Sequence, residues 1–187
     1  MDIKDIEQLY ILAHSKEVYE YVNSLKKYDD YILPTSYKGL LILYSSKVQY
    51  ILYPDKNPDN TIDWIFLNGD KAIIISQHLL SRYRKRILDK VSDMKYNIRC
   101  NILDNLLLLV QLVSNIQLHI VKGVGISSKY NDSMFAWCED GLIPIEELSD
   151  IVYRCITFIP INMLRDYQLE NWKSIYSTLL ENKALDK

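Results

Sequence analysis

His78, Arg82 and Arg86 stand four residues apart in the stretch SQHLLSRYRKR, while Leu79, Leu80, Tyr83 and Ile87 occupy the complementary positions. On an α-helix each four-residue step drifts by only about 40°, so the three polar residues share one face. An imidazole followed by two guanidiniums suits a phosphodiester. Guanidiniums bind phosphate oxygens through paired N–H groups. The first turn of a helix, where His78 would lie, adds free backbone N–H groups. The surrounding positive charge favours the neutral imidazole near pH 7, the form that accepts a proton as a general base. The expected chemistry is attack of a 2′-hydroxyl on the adjacent phosphate. His78 would take the proton, and Arg82 and Arg86 would stabilise the charged phosphorane. Arg84 and Lys85 extend the cationic surface that a nucleic acid would meet. Thr157, in an otherwise apolar stretch, is a candidate hydroxyl at the cleft.

Two other readings fit the same residues. One is a passive basic patch that binds RNA, DNA or an acidic protein. The other is a solvated helix face with no ligand at all. The charge distribution bears on all three. The chain of 187 residues has a net charge of −2, which alone argues against bulk nucleic-acid binding. From Ser81 to Cys100, however, seven Lys/Arg face two Asp, and from Asn131 to Asp150 six Asp/Glu occur without a Lys or Arg. One basic segment thus sits in an acidic protein. The acidic segment is also a candidate neutralising partner for the basic stripe.

The elements that would position these residues follow from hydrophobic spacing. Ile3, Ile6, Tyr10, Ala13, Val18, Tyr21, Val22 and Leu25 recur at helical intervals, which predicts one amphipathic helix over residues 2–27. Strands are expected at 40–44, 48–53, 62–67 and 71–75, with a tight turn at Asn68-Gly69. Ser76 would then cap a helix over 77–91. A second, more apolar helix is expected at 103–117. Strands return at 119–126, 133–138 and 151–159, with a turn at Asp140-Gly141; Pro160 stops the last strand, and a C-terminal helix is expected from Asn162 onward. Lys122-Gly123-Val124-Gly125 lacks the third glycine of a dinucleotide fingerprint.

Apolar residues make up 49% and charged residues 25%, an ordinary globular balance. The expectation is a single α+β domain over 1–187: an antiparallel sheet of about six or seven strands with N-terminal, two central and C-terminal helices packed on it. Three cysteines, Cys100, Cys138 and Cys155, show no metal spacing, and His14 and His119 have no ligand partner nearby. No cofactor and no metal are expected. The longest apolar run, Leu106 to Val110, is far short of the ~20 residues needed to cross a bilayer. A cytoplasmic protein without membrane contact is expected.

Two motifs carry a resemblance. H-x-x-x-R-Y-x-x-R runs from His78 to Arg86, and T-F-I-x-x-x-M-L-x-x-x-Q from Thr157 to Gln168. In this order, with a meander before and a D-G turn between, they resemble small bacterial and phage proteins. More remotely, they resemble metal-independent RNase toxins of the barnase, colicin and RelE type. The resemblance covers about residues 62–168. It implies a nucleic-acid-directed protein of the bacterial defence, toxin or phage-conflict type and a metal-independent endoribonuclease activity on RNA. By it, His78 is the acid or base, Arg82 and Arg86 hold phosphate, and Thr157 assists. The chain departs from such toxins in the acidic stretch before the last strand, where they are usually basic. The alternative is a non-catalytic inhibitor or adaptor that binds a protein partner through the basic helix 77–91 or a Tyr-rich surface, since the chain holds 15 tyrosines against three phenylalanines.

Overall fold

A computed structural model describes residues 1–29, 31–88, 112, 120–122, 134–138, 140–166, 168–170, 172–174 and 177–178. The fold is α+β. Its strands form two antiparallel meanders, one before and one after a helical segment that follows Ile75 in the chain. The chain divides into two compact units, one of Met1–Gln77 with Glu147–Arg154, the other of His78–Glu146 with Cys155–Lys187.

The first unit begins with two helices, α1 (Ile3–Ala13) and α2 (Lys16–Ser24), where one was expected. The cause is Ser15. Its backbone is extended and its side chain accepts from the Val18 N–H, so it starts a new helix. Val18 and Val22 keep the apolar stripe in phase across the break, which is why periodicity alone reads through it.

Strands β1 (Leu33–Tyr37), β2 (Leu40–Tyr44), β3 (Gln49–Lys56), β4 (Ile62–Phe66) and β5 (Ala72–Ile75) follow as a meander. β1 is unexpected from sequence because Pro34 interrupts it. It lies at the edge of the sheet, where a missing N–H costs no ladder bond. Asn68-Gly69 makes the β4–β5 turn, as its composition predicts, with Gly69 at a φ of +75°. Asn68 does more than turn the chain. Its side-chain amide accepts from the Ile51 N–H and donates to the Gln49 carbonyl, fastening β3 to the turn.

One face of this sheet is covered by the helices. Ile6, Ala13, Val18 and Val22 pack with Leu40, Ile42, Tyr44, Ile65 and Ile74. Ile73 and Ile75 alternate to the opposite face, as the pleat requires, and both are buried.

Helix α3 (Gln77–Tyr83), in the second unit from His78 onward, continues as a π-helical turn over Arg84–Leu88. Strands β6 (Ile120–Lys122), β7 (Met134–Cys138) and β8 (Gly141–Glu147) form a second meander with the expected turn at Asp140. β8 was not expected, since Pro144 and the acidic end of the segment mask it.

The single strand expected at 151–159 is two: β9 (Val152–Cys155) and β10 (Ile159–Pro160), the latter paired with the start of β8. Ten strands are thus described where six or seven were expected. Instead of a helix from Asn162 onward, a short 3-10 turn (Ile161–Met163) comes first, and helical residues begin at Asp166. Phe135 and Leu142 are buried, with Ile159, Leu164 and Trp172 packed on them.

Of the helix expected at 103–117, only Leu112 is described; it is helical and buried. The remainder of that helix, the end of the 77–91 helix and the Gly123–Gly125 segment lie outside the described residues. No described helix is long and apolar enough to cross a membrane.

Candidate functional site

The basic helix buries one side and exposes the other, as the spacing predicts. Leu79, Leu80 and Tyr83 are fully buried, while His78, Arg82 and Lys85 are exposed. Tyr83 anchors the helix. Its ring meets Phe158 edge-on, with centroids 4.9 Å apart, and its hydroxyl donates to an Asp140 carboxylate oxygen at 3.3 Å. Arg86 adds a second tie, donating from Nη1 to the Phe158 carbonyl. These contacts fix the helix against the segment leading into β10.

Between them lies a cavity of about 470 Å³, lined by Arg82, Lys85, Arg86, Pro160, Asn162 and Met163. The π turn matters here. It holds more residues per turn than an α-helix, so the phase of the helix changes after Tyr83. Arg82, Lys85 and Arg86 come together on the cavity. His78, Arg84 and Thr157 are not among its lining residues. Thr157 is half-buried in the stretch between β9 and β10, outside any strand, which corrects its expected place on a continuous strand. Arg84 is half-buried on the same helix.

His78 joins the site through Arg82, whose Nε–H donates to His78 Nε2 at 2.9 Å. The accepting nitrogen holds the guanidinium plane. It can take another proton only when this bond opens.

The start of the helix differs from expectation. The Gln77 N–H donates to a carboxylate oxygen of Asp63 at 3.0 Å. An internal anion thus occupies part of the first turn, and the cationic cavity lies further along. From the acidic segment 131–150, Asp140 accepts from the Tyr83 hydroxyl on the buried side of α3. Among the described residues, Arg82, Lys85 and Arg86 form no ion pair with a carboxylate.

Pro160, Asn162 and Met163 were not nominated from sequence. Their part comes from tertiary placement more than 70 positions away from the helix; the motif over Thr157–Gln168 spans all three but gives none of them a role. The nearest hint is the break at Pro160, which turns the chain into the 3-10 turn. A second cavity, about 540 Å³, lies in the first unit beside Asp5, Gln8, Leu9, Leu12 and Tyr53 and gathers no cluster of like charge. No group of three His, Cys, Asp or Glu among the described residues could hold a metal ion.

No family model, no curated protein and no solved structure matches this chain.

Proposed function

We propose that the protein is nucleic-acid-directed and binds RNA phosphates through Arg82, Lys85 and Arg86. The observation that carries this reading is the convergence of three cations on one cavity, unpaired with carboxylates among the described residues. Such a cluster gains free energy from a polyanion because binding releases condensed counterions. It also gains from the paired N–H groups that guanidiniums offer to phosphate. A role of this kind fits the bacterial defence, toxin or phage-conflict class implied by the motif resemblance.

The test is RNA binding by the full chain across a salt series. Log affinity should fall linearly with log salt, and Lys85→Ala should reduce the slope by about one. An affinity indifferent to salt, or no binding at low ionic strength, overturns the reading.

The bond between His78 and Arg82 favours a second reading, metal-independent RNA cleavage. A phosphate that draws Arg82 away would leave Nε2 free to take the proton of a 2′-hydroxyl; the 2′-oxygen then bonds phosphorus, the P–O5′ bond breaks, and the leaving 5′-oxygen takes the proton back from the imidazolium. Incubation with RNA in EDTA tests it. Binding without cleavage removes this second reading and leaves the first.

A further inference from the structure

We infer that the cavity takes one nucleotide carrying a phosphomonoester, with the phosphate on Arg82, Lys85 and Arg86 and the base seated against Met163. This rests on the phosphate-binding reading and narrows it to a ligand class.

Charge is the first argument. An internal phosphodiester brings one negative charge, whereas a monoester brings about −1.5 to −2 at pH 7. Three cations on one cavity exceed what a single diester needs and match a monoester better. The donors agree. Arg82 uses Nε on His78, which sets its plane, and its terminal NH2 groups form the fork that phosphate oxygens accept from. Arg86 is fixed by its bond to the Phe158 carbonyl, so its position is set before a ligand arrives.

The other lining residues point the same way. Met163 is 57% exposed and lines the same cavity as the three cations, so its thioether is open to a ligand held there. A phosphate alone has no use for it. An aromatic base does, because thioether sulfur makes favourable contacts with aromatic rings. Pro160 extends the apolar surface. Exposed Asn162 supplies an amide that both donates and accepts, the requirement for meeting a base edge.

Size is the third argument. A cavity of about 470 Å³ falls within the roughly 300–1,000 Å³ typical of sites for single small ligands.

Two sources share this chemistry: a free nucleoside monophosphate and the phosphorylated end of an RNA strand. The full chain is titrated with inorganic phosphate, with AMP and UMP, and with a short RNA bearing a 5′-phosphate, a 3′-phosphate or hydroxyls at both ends. The mononucleotides should bind at least about tenfold tighter than inorganic phosphate, and Met163→Ala should cut that preference roughly 2- to 10-fold. Met163 is exposed, so the variant is expected to fold. Tighter binding of phosphate-ended than hydroxyl-ended RNA supports the inference and assigns the strand end as the source. Mononucleotide preference with no RNA binding supports it for the free nucleotide and overturns the RNA reading. RNA that binds regardless of its ends, with mononucleotides no better than inorganic phosphate, overturns the inference and leaves the RNA reading standing. Failure of every ligand overturns both.

Discussion

Arg82 Nε donates to His78 Nε2 at 2.9 Å, one helical turn back along α3. A nitrogen that accepts cannot carry a proton, so the bond selects the tautomer protonated on Nδ1. The imidazole therefore acts on Arg82 while this bond is closed, and holds a bound phosphate only through it. His78→Ala should leave RNA affinity within about threefold of wild type, whereas Arg82→Ala should cost about tenfold or more, the scale of a hydrogen bond to a charged group. Where RNA is cleaved, His78→Ala should slow turnover by roughly 10²–10⁴-fold. Equal losses of binding in the two variants would show that the imidazole itself holds the ligand.

Lys85 and Arg86 line the same cavity but stand differently in the fold. Lys85 is exposed. Arg86 is half-buried and bonded to the Phe158 carbonyl. Sequence spacing treats both as solvated cations, and the structure corrects that for Arg86. Lys85→Ala should change stability by less than ~0.5 kcal/mol. Arg86→Ala should cost about 1–3 kcal/mol, because the carbonyl is left without its donor. Denaturant midpoints of the two variants measure the difference. Equal midpoints would place Arg86 in solvent like Lys85.

Apart from β1, the first meander was legible in the sequence because its strands centre on short apolar runs bounded by turn residues. Asn68-Gly69 and the run of isoleucines at 73–75 leave one register that buries both faces. The misses have a common cause, which is a residue whose local preference is overruled by its position. Ser15 splits a continuous apolar stripe, Pro34 is tolerated on an edge, and Pro144 hides β8. The basic half of the site was legible because His78, Arg82 and Arg86 are neighbours on one helix. The apolar half was not. Met163 meets the cations only through tertiary contacts, and nothing in its local sequence separates it from a core methionine.

Cys155 sets an alkaline limit. The residue is fully buried, and burial pushes its thiol from an ordinary 9.0 up to about 12. An unfolded chain loses this proton near 9.0, while the folded chain keeps it to about 12. The folded state thus binds more protons across that window. The stabilisation is fully present below pH 9.0 and is lost as pH rises toward 12, at up to about 1.4 kcal/mol per pH unit. Unfolding measured from pH 8 to 11 should show this decline, and Cys155→Ala should flatten it while lowering stability near neutrality by about 1 kcal/mol. An identical alkaline slope in the variant would assign the effect to other groups.

Gly141 couples the turn after β7 to the wall of the cavity. A Cβ placed there would lie 2.1 Å from the Ile159 carbonyl oxygen and 2.9 Å from Pro160 Cα. Both are backbone atoms, so no side-chain rotation relieves the clash. β10 must move, and with it Pro160, which lines the site. The Gly141 carbonyl also accepts from Trp172 Nε1 at 3.2 Å, so the displacement reaches the packing around Phe135 and Leu142. Gly141→Ala should destabilise the fold by about 1–3 kcal/mol and should weaken phosphate binding although Gly141 is not among the lining residues. Gly69→Ala is the control. Its Cβ meets nothing within 4 Å, but its φ of +75° is left-handed, so a cost of about 1–2 kcal/mol is expected without a change in phosphate affinity. Thermal melts give the first quantity and phosphate titration the second. A Gly141→Ala protein with wild-type melting and wild-type affinity would show that β10 yields freely and that the cavity does not depend on where it lies.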